Sequence, residues 1–468
     1  MTDVVQRGPL EASTVADLLP AFRGQIVLPG DEAYDDARRV WNGSIDRRPA
    51  VILRCGGVGD IRAGLGLAKE LELPLALRGG GHNIAGFGTC DDGVVLDLSP
   101  MKGVRVDPGA GTVRAEPGVV WGELDRETQA FGLAVTGGVM SSTGIAGFTL
   151  GGGIGWLQRK LGLACDNLYS ADLITADGEW IQAYERSNGE LLWGLRGGGG
   201  NFGIVTSFKF ALHPVGPQVF CGLVAWPADQ AGEVLRFFRD YAAEVPDEVT
   251  LIAILRTAPP APFLPAEVHG TPIVAIAACH AGPVEDGQRT LAPLRAFGAP
   301  AGDAMAARPY TTFNGMFDAS WAPGLQNYWK ADYLTGLSDD CIEVLAEFAL
   351  RHTSPLSDYK IVQLGGAIAR IGEDDTAYGH RSAPFLLNIN TRWQDPAQTD
   401  LHVAHTRSLW EAALPFTAGG AYVNFLGDEG GERVRAAYGE AKFERLQSLK
   451  RTYDPGNLFQ INQNIPPS

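Results

Sequence analysis

The sequence predicts an α+β protein with more than one domain. Its 468 residues exceed what one ordinary hydrophobic core holds, and 45% of them are hydrophobic, as is usual in a soluble enzyme. Glycine is frequent, with 60 residues, and it clusters in the first half at 79–81, 137–138, 151–155 and 197–200. Beyond Pro217 these clusters stop, and strand-like runs alternate with long helical runs, which favours an antiparallel sheet covered by helices.

The region 50–210 has the pattern of mixed α/β structure, with short apolar runs punctuated by turn residues. Its predicted elements are strands at 50–55, 73–78 and 93–98, helices at 60–73 and 120–132, and hairpins at 104–118 and 171–183. The second hairpin turns at Asp177–Gly178, a dipeptide that favours tight turns.

The segment HPVGPQ near 214–217 indicates a domain boundary. Beyond it, the predicted strands are 249–255, 272–279, 359–366 and 385–393, and the predicted helices are 228–245, 338–352 and 401–414. A helical stretch follows from 432. We therefore expect three segments: an amino-terminal domain over 1–215, a substrate domain over 216–420 and a carboxy-terminal segment over 421–468 that returns to the first domain.

Composition excludes several partners. A net charge of −16 disfavours nucleic acid, and no run approaches the 18 apolar residues of a membrane span. Residues 1–19 lack the pattern of a signal peptide. The six cysteines are scattered without metal-binding spacing, and His402 and His405 have no third ligand nearby, so we expect a surface pair and no metal. We expect a cytoplasmic enzyme with a small-molecule substrate; a homodimer is an open alternative.

The glycine clusters favour a long phosphate-bearing cofactor, because bare backbone N–H groups approach phosphates closely. No cluster is followed by the Lys-Ser/Thr of a P-loop. A GxGxxG pattern at Gly198, Gly200 and Gly203 stands between a predicted helix and a predicted strand, the reverse of the order in a dinucleotide-binding Rossmann unit. Tight turns in a β-rich domain are the alternative interpretation.

Four motifs occur in a fixed order: RGGGHN at 78–83, TGIAGFTLGGGIGWLQRKLGLACDNL at 143–168, RGGGGNFGIVT at 196–206 and YDPGNLFQINQNI at 453–465. Together they resemble the FAD-linked oxidases of the berberine-bridge and 6-hydroxynicotine oxidase type, in the vanillyl-alcohol oxidase superfamily. The resemblance implies a split, two-lobed PCMH-type FAD-binding domain and an antiparallel substrate domain. It also implies hydride transfer from a C–H beside OH or amine to the flavin, and reoxidation by molecular oxygen to hydrogen peroxide.

The resemblance assigns His82 a covalent bond to the flavin; a histidine that merely binds a loop is the alternative. A second flavin link would need a cysteine where Met140 stands, and a thioether supplies no thiolate, so we expect mono-covalent FAD. Phe148 replaces a family histidine. The implied pyrophosphate contacts are Arg78, Gly79, Gly80, Gly81 and Asn83. Other implied FAD contacts are Gly137, Ser142, Thr143, Gly144, Gly147, Asp166, Asn167, Gly203, Ile204, Val205, Asn462 and Asn464.

The catalytic candidates follow from the same resemblance. Tyr422 and Asn424 match the family pattern Y-x-N and are expected on one face of a strand, with Tyr422 as the base; a buried aromatic residue is the alternative. Gln363 is expected on a strand facing the flavin, where it cannot act as a base. Two other functions stay open: a dehydrogenase with another electron acceptor, and a redox-neutral flavin-bound cyclase or lyase.

Overall fold

The computed structural model describes residues 10, 15 and 17–467. Most of residues 1–19, which lack the signal-peptide pattern, therefore lie outside the described residues. The first lobe contains β1 (Gln25–Val27), α1 (Tyr34–Arg38), β2 (Val51–Arg54), α2 (Val58–Glu70), β3 (Leu75–Arg78) and β4 (Val94–Asp97). The sheet order is β1-β2-β4-β3, with β4 parallel to both β2 and β3. Parallel strands are covered on both faces, which explains their nearly continuous apolar runs.

The second lobe is an antiparallel sheet in the order β5-β6-β10-β8-β9. Its strands are β5 (Val104–Asp107), β6 (Thr112–Ala115), β8 (Leu168–Ile174), β9 (Trp180–Ala183) and β10 (Ile204–Ala211). Its helices are α3 (Trp121–Gln129), α4 (Ile145–Leu150), α5 (Gln158–Leu161) and α6 (Gly189–Leu195), and β7 (Leu133–Ala134) pairs with β11 (His213–Pro214). Both predicted hairpins are confirmed.

The third unit is built on an eight-stranded antiparallel sheet in the order β15-β12-β14-β13-β18-β19-β17, with β16 also pairing β12. Its strands are β12 (Gln218–Pro227), β13 (Val249–Thr257), β14 (Pro272–His280), β15 (Gly302–Asp303), β16 (Ala306–Pro309), β17 (Gln326–Leu334), β18 (Asp358–Gln363) and β19 (Phe385–Trp393). Its helices are α7 (Ala231–Glu244), α8 (Val284–Thr290), α9 (Ala292–Ala296), α10 (Tyr310–Asn314), α11 (Asp339–Ala349), α12 (Ala367–Arg370) and α13 (Thr399–Ala413). The predicted α+β class and the helix-covered antiparallel sheet are confirmed.

This sheet presents two different faces, because side chains alternate along each strand. On β13, Leu251 and Leu255 join the core that packs under α7, α11 and α13. Ile252 and Ile254 point the other way, into a cluster shared with residues of the first two lobes. The second face is therefore the one that meets the glycine-rich loops.

Helices α14 (Gly431–Tyr438) and α15 (Glu440–Tyr453) follow the eight-stranded sheet, and the chain then runs back to the first two lobes. A fully buried ion pair fixes this return, with Lys450 Nζ 2.7 Å from an Asp454 carboxylate oxygen. Lys450 also donates to the backbone oxygens of Asn201 and Phe459, while Asp454 accepts from the backbone N–H of Leu458 and of Phe459.

Two local predictions are wrong. Residues Val423–Phe425 form a short 3₁₀ turn instead of a strand, because the backbone N–H groups of Phe425 and Leu426 donate to the carbonyl oxygens three residues earlier. His402 and His405 are not a surface pair: His402 is 1% exposed, and its ring bonds Thr353 while that of His405 bonds the Tyr359 hydroxyl.

Among the described residues, no group of three or more His, Cys, Asp or Glu is arranged to hold a metal ion. The helices found there are also too short or too polar to cross a lipid bilayer.

Replacing Lys450 with Met should destabilise the fold by about 3–5 kcal/mol, because it leaves the Asp454 carboxylate buried without its counter-charge. The matched control is Arg289→Ala, which breaks an exposed ion pair with Asp286 and should cost less than about 1 kcal/mol. Urea unfolding of both variants measures the difference. Equal losses would show that the buried pair has no special part in holding the returning chain.

Candidate active site

A cavity of about 320 Å³ lies where the glycine-rich loops face the eight-stranded sheet. One side is built from the loops after β3, before α4 and before β10, with Asn462 and Gln463 of the returning chain. The other side comes from the sheet and the aromatic residues beside it: Trp41, Ile252, Trp321, Trp329, Lys360, Val362, Asn388, Asn424 and Phe425. The glycine-rich loops thus form one side of the cleft, and the side chains of the eight-stranded sheet form the other.

The glycine loops touch backbone to backbone. A Cβ atom on Gly80 would lie 2.5 Å from the Gly144 nitrogen, and a Cβ on Gly144 would lie 2.5 Å from the Gly80 nitrogen. Both distances are impossible for non-bonded atoms, so only glycine permits this approach. The contact joins the loop that carries His82 to the loop that begins α4.

His82 is held by a hydroxyl group and an indole ring. Its Nε2 lies 3.2 Å from Ser142 Oγ, and its ring stacks on Trp41 with centroids 5.3 Å apart. Burial lowers the pKa of His82 to about 4, so the imidazole is neutral at pH 7. A neutral imidazole has a free electron pair on one nitrogen and is a competent nucleophile.

Arg78 forms a buried ion pair with Asp97. Its Nη2 lies 2.9 Å from an Asp97 carboxylate oxygen, and β3 and β4 place the two residues in register. Burial opposes ionisation of Asp97, but the Arg78 charge outweighs it and keeps the pKa of Asp97 below its ordinary value. Arg54 Nε also lies 3.4 Å from Asp97, so one carboxylate is shared by two guanidinium groups, and Arg78 is the one on the cavity wall.

Most residues proposed for FAD line the cavity: Arg78, Gly79, Gly80, Gly81, His82, Asn83, Thr143, Gly144, Gly147, Gly203, Ile204, Val205 and Asn462. Gly137 packs on the Trp121 ring instead, and its neighbour Gly138 lines the cavity. Ser142 does not line the cavity, but its hydroxyl contacts His82, which does. Asn464 does not line the cavity, whereas the adjacent residues Asn462 and Gln463 both do. The chain bends at 461–463 and therefore does not alternate as a strand would.

Asp166 and Asn167 act as structural residues. Asp166 accepts hydrogen bonds from the Arg381 guanidinium and from the Leu163 N–H. The Asn167 amide donates to the backbone oxygens of Leu161 and Leu163. They hold the turn after α5 and do not line the cavity.

Sequence reasoning missed Asn201 and Gln463, which fasten the returning chain at the cavity. The Asn201 amide donates to the Gln463 backbone oxygen and accepts from the Ile465 N–H. The Gln463 amide donates to the backbone oxygens of Leu426 and Gly427. The signal was present in the ordered motifs, where Gln463 lies between Asn462 and Asn464 and Asn201 lies two residues before Gly203.

Tyr422 lies behind the cavity wall, with 1% of its surface exposed. Its oxygen accepts two hydrogen bonds of 2.8 Å, from the Gly153 N–H and from the Asn424 amide. Burial raises the pKa of Tyr422 despite these donors. Asn424 does line the cavity and also donates to the Phe148 backbone oxygen. The geometry makes Tyr422 the support of Asn424.

Gln363 requires a correction, because its side chain lies on the helix-facing side of β18. Its amide donates to the Ala242 backbone oxygen at the end of α7 and accepts from the Leu251 N–H. The one-residue offset matters, because alternate residues point to opposite faces. Val362 and Lys360 are the β18 side chains that line the cavity.

Lys360 is the main chemical group that sequence reasoning missed. Its Nζ donates to Asp358 and to Asn390 Oδ1, the latter at 2.8 Å, and lies 3.6 Å from the centroid of the Trp321 ring. Burial lowers the pKa of Lys360 to about 7 despite the neighbouring carboxylate. The available signal was the pattern DYKIVQ, in which charged residues alternate with apolar ones.

Comparisons with known proteins agree with this geometry. A model of an FAD binding domain matches residues 49–184, and a model described as berberine and berberine like matches residues 421–466. An FAD-linked oxidoreductase of Dictyostelium discoideum is 30% identical over 97% of both chains, and the (R)-6-hydroxynicotine oxidase of Paenarthrobacter nicotinovorans is 28% identical over 96% of this chain and 97% of its own. The crystal structure of 6-hydroxy-D-nicotine oxidase from Arthrobacter nicotinovorans superposes with a TM-score of 0.88 at 27% identity, covering 98% of this chain and all of that one.

The lowered pKa of Lys360 predicts a pH-dependent stability. Between pH about 7 and the ordinary lysine value, the unfolded chain binds the proton that the folded chain has lost, so this group makes stability rise with pH. The stability of the wild type should therefore increase relative to that of Lys360→Met by up to about 1.4 kcal/mol per pH unit. Urea unfolding at a series of pH values from 7 to about 10 measures the difference. A constant difference would mean that Lys360 stays charged throughout.

Proposed function

The chain belongs to the FAD-linked oxidoreductases whose carboxy-terminal segment is of the berberine type, and we propose that it is an oxidase of small molecules. In this proposal it removes hydride from a C–H bond beside a hydroxyl or amine. The observation that carries the proposal is one cleft that joins bare glycine backbone, a neutral histidine and a lysine able to take a proton near neutral pH.

The residues of the cleft fit FAD. The Gly80–Gly144 approach leaves a backbone-lined surface beside His82, and the Asn462 oxygen is buried without a hydrogen-bond partner among the described residues. A cofactor with many polar atoms would satisfy such a group. When bound, FAD accepts the hydride and passes the electrons to oxygen, which gives hydrogen peroxide.

We assign the covalent link to His82 alone. Ser142 and Trp41 fix the ring of His82, and burial keeps it neutral, which are the two requirements for a nucleophile of fixed direction. Met140 lines the cavity where a second link would need a thiolate. Mono-covalent attachment follows from this pair of residues.

Lys360 is the better candidate for the proton acceptor. Lys360 lines the cavity, and its pKa of about 7 makes the free base abundant at neutral pH. Tyr422 does not line the cavity, and its hydroxyl oxygen accepts from the Gly153 N–H and the Asn424 amide. We propose that Tyr422 is a positioning residue that holds Asn424 at the cavity wall.

Acid precipitation tests the covalent link. The wild-type protein should keep its yellow colour in the pellet, and His82→Ala should release all of the flavin into the supernatant, because no other cavity residue supplies the bond. His269→Ala is the control, since that histidine binds only a loop backbone oxygen. Flavin that washes out of the wild type would refute the covalent proposal while leaving FAD binding intact.

Rapid mixing with substrate tests the chemistry. Oxidase turnover in air should yield one hydrogen peroxide per substrate consumed, and Lys360→Met should slow flavin reduction about a hundredfold, the low end for losing a general base. Tyr422→Phe keeps the ring and should slow it less, by about tenfold, with the pH profile unchanged. A Tyr422→Phe loss equal to that of Lys360→Met would return the base to Tyr422, and turnover without peroxide would favour a dehydrogenase.

A further inference from the structure

A buried carboxyl group lies where the second lobe meets the third unit. Asp125, on α3 of the second lobe, is 2% exposed, and one of its oxygens accepts a 2.6 Å hydrogen bond from the Asn314 amide at the end of α10. Asn314 is 1% exposed. The two residues are 189 positions apart in the chain, so this bond joins two different units of the molecule.

The helical period of α3 brings Asp125 to this boundary. The buried face of α3 consists of Trp121, Leu124, Asp125 and Thr128, whose spacing of three and four residues forms one stripe along the helix. Leu124 belongs to the core of the second lobe, whereas Asp125 meets α10. The sequence therefore puts a carboxyl group at a position where the helix requires burial.

No positive side chain of the described residues forms an ion pair with Asp125. Helix α3 packs mainly against β5, β7 and α10. On β5 the titratable residues Arg105 and Asp107 are exposed, β7 has no titratable residue, and α10 contributes Tyr310. Burial raises the pKa of Asp125 to about 7, and the hydrogen bond from Asn314 opposes this rise only in part.

Two oxygens at this boundary lack a hydrogen-bond donor. They are the second carboxyl oxygen of Asp125 and the amide oxygen of Asn314, and both are buried without a partner in the described part of the chain. An ionised carboxylate only accepts hydrogen bonds, so it would leave both oxygens unsatisfied. A protonated carboxyl group supplies one donor, and a single O–H bond to the amide oxygen removes both defects.

We propose that Asp125 is held as a neutral carboxylic acid and forms a two-bond pair with the Asn314 amide, which acts as a proton-dependent joint between the second lobe and the third unit. The amide N–H donates to Asp125 Oδ2, and the O–H on Asp125 Oδ1 donates to Asn314 Oδ1. Loss of the proton breaks the second bond and leaves a negative charge in a buried place, so the joint weakens as the pH rises. The joint involves neither the cofactor nor the proposed oxidase reaction.

The turn after α10 makes a second contact with the same lobe. Asp318 accepts a 2.9 Å hydrogen bond from the Ser141 N–H, and the Ser141 backbone oxygen accepts from the Gly122 N–H at the start of α3. Helix α3, the loop at Ser141 and the segment 310–318 are therefore linked to one another. A weaker joint is expected to loosen α3 and α10 together.

Urea unfolding of the holoenzyme from pH 5 to 9 tests the proton. Asp125→Asn reproduces both hydrogen bonds without a titratable group, so the variant should fold and should be more stable than the wild type above pH 7. Between pH 5 and about 7, the unfolding equilibrium constant of the wild type should rise relative to that of Asp125→Asn by up to about tenfold per pH unit, because the folded chain keeps a proton that the unfolded chain has lost. Above that range the ratio should be constant.

Two control variants separate this proton from other groups. Asp240→Asn removes an exposed carboxylate on α7 and should show the same pH trend as the wild type. Tyr310→Phe removes a buried hydroxyl that has no hydrogen-bond partner among the described residues, and it should keep the trend as well.

Hydrogen–deuterium exchange of the holoenzyme locates the effect. From pH 5 to 7, peptides that cover α3 and α10 should lose at least about tenfold in protection, after correction for the intrinsic exchange rate, in the wild type and not in Asp125→Asn. Peptides that cover α11 should not change in either protein, because α11 packs on the opposite face of the eight-stranded sheet.

The outcomes decide both parts of the proposal. A constant stability difference between the wild type and Asp125→Asn from pH 5 to 9, or failure of Asp125→Asn to fold, would show that the folded protein holds a carboxylate and would overturn it. Loss of the trend in Tyr310→Phe would assign the missing donor to the Tyr310 hydroxyl instead. A pH trend in stability without any change in the exchange of α3 and α10 would refute the joint.

Discussion

The close contact between the backbones of Gly80 and Gly144 fixes how the first two lobes meet at the cavity. Gly80 and Gly144 come from different lobes, and no side chain of any size fits between them. Their contact sets the distance between the loop that carries His82 and the loop that carries Ser142, so the two side chains meet at 3.2 Å. A larger residue at either position would separate the lobes and, with them, the histidine from its partner.

Strand alternation gives the eight-stranded sheet two faces of different composition. One face is an apolar core under three helices, and the other carries the polar and aromatic groups of the cleft. Burying Lys360 on that face is expensive, and Asp358, Asn390 and the Trp321 ring compensate only part of the cost. The result is a lysine that loses its proton easily, which is the property that a proton acceptor requires.

The sequence was sufficient for the fold class, both hairpins, the long helices and most of the glycines that line the cavity. These features depend on local periodicity, turn residues and ordered motifs, all of which a single sequence contains. Gln363 and Lys360 show where such reasoning stops. A strand can be recognised from its pattern, but which of its faces meets a cofactor depends on strands more than 100 residues away, and an error of one residue selects the wrong face. Tyr422 shows a different limit: the motif identifies the residue, but only packing shows that its hydroxyl oxygen accepts from the Gly153 N–H and the Asn424 amide.

The bond between Asn201 and Gln463 joins residues 262 positions apart, and Lys450 anchors the same returning chain. During synthesis the two glycine-rich lobes leave the ribosome long before residue 463 is made, and domains begin to fold in that order. The nascent protein therefore spends much of its translation with an open, glycine-lined groove. Until then the cavity lacks the side that Asn462 and Gln463 supply, and the returning chain completes it when Gln463 binds Asn201.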